Sequence, residues 1–228
     1  MRFASCGDAA LTVELGATPN LLLTRSLAGL HDLLRRAPPP GFIESVPGLT
    51  SLTLLFDPDV TSRAALEQDV RRRIAGSNAS SARAREWHFP VCYEGELAPD
   101  LAEVARACGL TERQAIAAHT SRSYVVYLLG FSPGFPYLGD IDAALALPRR
   151  AVPRPRVPAG SVAIATRYTA IYPQETPGGW HIIGRTPVRL FDLDANPPAL
   201  IAPGDTVRFY AVAASEYERA STTPRPAA

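Results

Sequence analysis

The chain has 228 residues, 23 basic and 22 acidic, with a formal net charge of +1 and 46% hydrophobic residues. That length supports one large domain or two small ones with real cores, and near-neutrality argues against a nucleic-acid binder, which carries a basic stripe. All 23 basic residues are arginine, so no Schiff base, biotinyl-lysine or P-loop lysine comes from this chain; guanidinium or backbone N–H groups must meet any phosphate or carboxylate.

Along the chain, Leu11 to Leu15 reads as a strand, and Thr18-Pro19 as the N-cap and first position of a helix. Leu23, Leu27, Leu30 and Leu34 then recur at helical spacing and mark one buried face. Pro38 to Gly41 stop that helix. Phe42 to Val46 and Leu49 to Phe56 follow as strands about a Pro47-Gly48 turn. Asp57 to Thr61 cap a second helix through Ile74, with Arg71, Arg72 and Arg73 at its dipole-favoured end. This order, with Trp87 to Cys92 available as a further strand, predicts a small ferredoxin-like layer over 1–82. Gly76 to Arg85, small and polar, is the expected linker.

Beyond it, helices are expected near 99–108 and 112–119, the second opened by a Thr111/Gln114 capping box. From Tyr124 onward the texture is short β-rich runs (SYVVYLL, SVAIAT, TAIYP, HIIG, VRLFD, TVRFYAV) between Pro and Gly, which predicts a β-barrel or sandwich over 83–220. Residues 221–228 read as a flexible tail, giving an α+β chain of two domains. Cys6, Cys92 and Cys108 are widely spaced and form no CxxC, which fits a reducing compartment and no zinc site. With no metal-ligand spacing among the histidines and no long apolar run, the expectation is a soluble cytoplasmic protein without a metal.

The chemistry-bearing residues fall between 119 and 186. Gly130-Phe131-Ser132-Pro133-Gly134 matches the GxSxG nucleophile elbow, but the oxyanion donor following the serine would be Pro133, which has no N–H. The loop is better read as a stiff carrier of Phe131, Phe135 and Tyr137, for a pocket wall, an interface or a barrel plug. Arg154 and Arg156 are the leading anion-binding candidates, against the alternative of solvated loop arginines. Ser161 either donates to a bound carboxylate or bonds its own turn. Gly178 and Gly179 form an anion nest or a hairpin that places Trp180 in a core, beside Tyr172 and Gln174. Arg185 adds a third cation. His119 is the first acid/base candidate, with packing as its alternative, and His181 the second.

The stretches LGFSPGFPYLGDID, LPRR, PRPRVPAGSVAIA, IYPQETPGGWHIIGRTP and LFD resemble the family that comprises the 5-oxoprolinase B subunits, KipI and allophanate hydrolase subunit 1. Weaker echoes are GDAALTVELG, ESVPGLTSLTLLFDP, FPVCYEGELAPDL and PGDTVRF. The resemblance implies an α+β domain before a cyclophilin-like β-barrel. It further implies one subunit of a heteromeric ATP-dependent 5-oxoprolinase that opens 5-oxo-L-proline to L-glutamate. The partners would be a homologous carboxyltransferase-like chain (the C subunit) together with a third chain (the A subunit). In that setting Arg154, Arg156 and Arg185 would place a carboxylate or phosphate and His119 would move a proton, and the chain alone would be inactive. The alternatives within the family are a KipI-like inhibitor of a sensor histidine kinase and a subunit of a biotin-dependent carboxyltransferase. Ala163, Thr166 and Ala170 stand where the family typically has glycine, and Tyr168 where it has glutamine; the added Cβ atoms narrow a backbone-lined cleft, and a phenol cannot donate like an amide.

Overall fold

The computed structural model describes residues 1–76, 85–217 and 219. The chain divides into two compact units, Met1–Arg83 and Ala84–Ala228. Within the segment expected to be a linker, 77–84 lie outside the described residues, as do 221–228 of the expected tail.

In the first unit, strands β1 (Arg2–Ser5), β2 (Ala10–Glu14), β3 (Phe42–Pro47) and β4 (Ser51–Phe56) form a sheet in the order β1-β2-β4-β3, antiparallel throughout. Helix α1 (Leu21–Arg36) connects β2 to β3 around the intervening β4, which is a split β-α-β unit. Its face Leu23, Leu27, Leu30 and Leu34 packs with Val13, Leu52 and Leu54, and with Val70 of α2 (Arg63–Gly76). The α1 cap differs from expectation: Asn20, not Thr18, is extended and accepts the Leu23 N–H at 3.0 Å. An Asn side chain two residues nearer the apolar face out-competes the Thr-Pro signal.

The ferredoxin-like expectation needs a correction at its last strand. Beside β2 the sheet edge is held by β1, a short segment (RFAS) in which Phe3 alone packs on the core, too weak a pattern to read from sequence. Trp87 to Cys92 joins the other unit as β5 (Glu86–Cys92). It pairs along its whole length, in parallel, with β13 (Thr206–Val212).

That second unit is a closed seven-stranded barrel. Its other strands are β6 (Ser123–Leu129), β7 (Pro136–Gly139), β9 (Ser161–Ala165), β10 (Tyr168–Ile171) and β12 (His181–Arg185), in the order β10-β7-β6-β13-β5-β12-β9. Helices α3 (Leu101–Ala107) and α4 (Glu112–Thr120) pack on its apolar interior through Leu101, Val104 and Ala115, against Phe89, Tyr124, Val162, Ile164 and Phe209. The Thr111/Gln114 capping box is present. VRLFD, expected as a strand, contributes only an isolated bridge, Phe191↔Ala199, although Val188 and Leu190 are buried in the barrel core. Two further strands, β8 (Arg154–Val157) and β11 (Thr176–Gly178), make a separate ribbon. No described helix is long and apolar enough to cross a membrane.

Candidate functional site

Strand β9 is buried on both faces. Val162 and Ile164 point into the barrel core, so the alternation of a strand turns Ala163 and Ala165 outward. There they join Ala170, Ile182, Tyr172, Trp180 and Phe135 in a second apolar cluster. Phe135 meets Phe131, Tyr137, Tyr172 and Trp180 edge-on, with centroids 5.2, 5.3, 5.1 and 5.9 Å away. Ala163 and Ala170 are positions at which the resemblance leads one to expect glycine, and their methyl groups are part of this buried cluster. Tyr168 stands against Tyr137 at 87° on its edge. Thr166, in the turn joining β9 to β10, has φ of 55°, a conformation glycine adopts without strain.

Between the rings lies a pocket of about 210 Å³. Phe131 and Phe135 come from the β6–β7 loop, Tyr137 from β7, Arg149 and Pro153 from the segment before β8, and Tyr172 from the position just after β10. Pro177, Gly178, Gly179 and Trp180 close it from β11 and the following turn. The GxSxG stretch is a hairpin loop, not a strand-to-helix elbow, with Gly130 N–H on Phe135 O and Phe135 N–H on Ser132 O, both at 3.0 Å. Burial pushes the Tyr172 phenol up to about 12, so it is a neutral hydroxyl at the pocket wall. A Cβ at Gly178 would lie 2.3 Å from that hydroxyl oxygen, so this glycine is what lets the Tyr172 ring stand where it does. Neither Gly178 nor Gly179 has a left-handed φ, and Gly178 is in β11 opposite Arg154; the alternating anion nest expected there is not formed.

Of the arginines expected to bind anions, Arg154 is employed differently. Asp100, 2% exposed at the start of α3, takes Arg154 bidentately (2.8 and 2.6 Å), Arg150 at 3.1 Å and the Ile182 N–H at 2.7 Å. The Arg154 fork is thereby spent on an internal carboxylate, and Arg154 is absent from the pocket lining. Arg156 is exposed, 3.7 Å from Glu175. Arg185 and Ser161 are directly opposed in the β12–β9 pairing, and Tyr172 N–H donates to Ser161 O on its other side. Ser161 Oγ and Arg185 Nε are buried without a hydrogen-bond partner among the described residues. Gln174 is exposed and lies off the pocket.

His119 is fully buried in the barrel interior, stacked on Phe209 at 4.7 Å. Tyr93 Oη lies 2.8 Å from Nδ1 and Thr169 Oγ1 lies 2.9 Å from Nε2, while the Thr169 hydroxyl donates to Ala163 O at 3.2 Å. That chain assigns Nδ1 as acceptor and Nε2–H as donor, so both nitrogens of a neutral ring are satisfied. Desolvation holds its pKa down to about 3. Its packing alternative is the one the geometry provides, and it does not line the pocket. His181, the second candidate, lies 2.9 Å from Pro148 O through Nε2.

Two residues that sequence reasoning missed matter most. Arg149 is the charged residue on the pocket, and no carboxylate among the described residues pairs with it. Its signal was the LPRR stretch, which does not distinguish Arg149 from Arg150. Asp100 lies in the weaker FPVCYEGELAPDL echo, which does not mark it as a buried acid.

Residues 1–201 match the family described as carboxyltransferase domain, subdomain C and D. The chain is 40% identical over 222 residues to the 5-oxoprolinase B subunit of Bacillus subtilis (strain 168), covering 92% of each. It is 41% identical over 213 residues to the 5-oxoprolinase B subunit of Escherichia coli O157:H7, covering 92% of this chain and 96% of that one. Among solved structures, TTHA0988 is similar with a TM-score of 0.79 and 38% identity; the match covers 95% of this chain but 41% of TTHA0988.

Proposed function

The chain belongs to the carboxyltransferase-domain family, subdomains C and D, and on that premise we propose that it is a subunit of a 5-oxoprolinase. The observation that carries this is the identity of 40% over 92% of both chains to a protein named as the B subunit of 5-oxoprolinase. The reaction is hydrolysis of a lactam: water adds to the ring carbonyl carbon, the C–N bond breaks, and the nitrogen takes a proton to give glutamate. We read the barrel as cyclophilin-like, and the first unit as a ferredoxin-like layer whose outer strand comes from β1.

Other subunits are implied by the relatives' names, and we assign them as a homologous carboxyltransferase-like chain and a third chain, in the cytoplasm. That a similar module occupies two-fifths of TTHA0988 supports a partner that supplies the remainder as a separate chain. ATP would be used by the assembly. The residues here do not fit a nucleotide: the pocket is smaller than the roughly 300–1,000 Å³ of sites for drug-sized ligands, and Arg154 is bound to Asp100. We therefore place the ATP site on a partner and expect this chain alone to be inactive.

The test is co-expression with the proposed partner subunits, followed by ATP-dependent glutamate release from 5-oxoproline. Release by the assembly and none by the isolated chain is expected. A fully folded assembly without such activity would overturn the reading.

A further inference from the structure

The geometry points to the Arg149 pocket as the seat of a small ring bearing one carboxylate, with the Arg149 guanidinium on the carboxylate and the aromatic rings against the ring faces and edges. This rests on the 5-oxoprolinase reading for the identity of the ligand, 5-oxoproline, and on the pocket itself for its chemical class.

Three observations carry it. First, the backbone around Arg149 is fixed while its side chain is not engaged. Pro148 O is within 2.9 Å of His181 Nε2, Arg150 N–H donates to Gly179 O at 2.8 Å, and the Arg150 guanidinium is anchored on Asp100. A cation on a pinned segment needs little reorganisation to bind. Second, the remaining walls are rings, prolines and glycines, so the pocket offers a single positive charge. That matches a monoanion, whereas a phosphate calls for several donors. Third, the volume of about 210 Å³ and the mutually perpendicular rings of Phe135 and Trp180 (90°) suit a compact flat ring.

Arg149 is thus a binding residue, and Asp100 and His181 position it. The experiment uses the assembled enzyme, with 5-oxoproline and its carboxamide, in which the carboxylate is replaced by a neutral amide. Arg149→Gln is expected to raise KM for 5-oxoproline roughly 10- to 100-fold, the loss of a charge-assisted hydrogen bond, with kcat changed far less. Arg113→Gln, on the exposed face of α4, is the control and leaves both constants unchanged. The wild-type assembly should prefer 5-oxoproline over the carboxamide by a similar factor, and Arg149→Gln should erase that preference, which a merely structural role would not do.

An active Arg149→Gln assembly with unchanged KM and undiminished preference overturns the assignment and leaves the 5-oxoprolinase reading standing. If the wild-type assembly is inactive on 5-oxoproline, that reading falls, and calorimetric binding of the two compounds to the same assembly decides the pocket. Carboxylate preference lost in Arg149→Gln then upholds the ligand class, and binding without preference, or none, overturns it.

Discussion

Two regions built from the same sequence material, arginines between prolines, behave in opposite ways. Around Asp100, Arg150 and Arg154 are half-buried and donate to one carboxylate that also receives a backbone N–H. One residue earlier, Arg149 faces an aromatic pocket with no acid paired to it among the described residues. What separates them is a single acid, about fifty positions away in sequence, at the N-terminus of α3. A guanidinium becomes architecture where a buried carboxylate awaits it, and stays uncommitted where none does. Counting arginines therefore says how much cation the chain has, and the location of acids says how much is left over.

The largest test of this contrast is Asp100→Ala, which leaves two guanidiniums and the Ile182 N–H without their acceptor. A loss of about 3–5 kcal/mol in urea-unfolding free energy is expected, as for breaking a buried ion pair; a loss below about 1 kcal/mol would show that the knot is ornamental. Gly178→Ala strikes the seam between the regions, in the strand paired with β8, by pushing on the buried Tyr172 ring. Overpacking of this kind costs about 1–3 kcal/mol, and the displaced ring should weaken ligand binding along with stability, read by thermal unfolding and substrate titration together.

A third test extends the comparison to His119, another polar group satisfied internally. Its folded pKa is depressed below its unfolded value of 6.5, so the unfolded chain binds the proton more readily. The associated stability is complete above about pH 6.5 and is lost as the pH falls toward 3, by up to about 1.4 kcal/mol per pH unit. His31, also held down by burial, contributes in the same direction. Urea midpoints between pH 7 and pH 4 should decline less steeply in His119→Gln than in the wild type, and parallel profiles would refute the linkage. Smallest in stability is Arg149→Gln: an exposed side chain without an ion-pair partner should shift the unfolding free energy by no more than about 0.5 kcal/mol, with its effect confined to the ligand.

Much of the architecture was legible where periodicity and burial coincide. The Leu23–Leu34 stripe of α1, the Thr111 capping box and the runs that became β6, β9, β10, β12 and β13 all carry local patterns strong enough to survive folding. What escaped was non-local. β1 has too few apolar residues to announce itself, and Trp87 to Cys92 reads equally well as a strand of either unit until β13 is present to pair with it. In the site, the aromatic residues Phe131, Phe135, Tyr137, Tyr172 and Trp180 were named from their Pro/Gly setting, and all five line the pocket. Charged residues were harder, because Arg149, Arg150, Arg154 and Arg156 look alike until the position of Asp100 is known.

The parallel pairing of β5 with β13 also bears on how the molecule comes into being. It joins residues as far apart as Arg85 and Asp205, 120 positions along the chain, whose carboxylate also receives the Trp87 indole N–H at 3.0 Å. The sheet and helices of Met1–Arg83 need nothing from later in the sequence to bury their leucines, and can be finished while the ribosome is still at work. The barrel has no such option. Its first strand must wait, edge unpaired and Trp87, Phe89 and Val91 uncovered, for a neighbour made more than a hundred residues later. At the roughly 5–20 residues per second of synthesis, that wait is at least several seconds. Chaperone occupancy on stalled nascent chains should accordingly rise as β5 emerges and fall once β13 does.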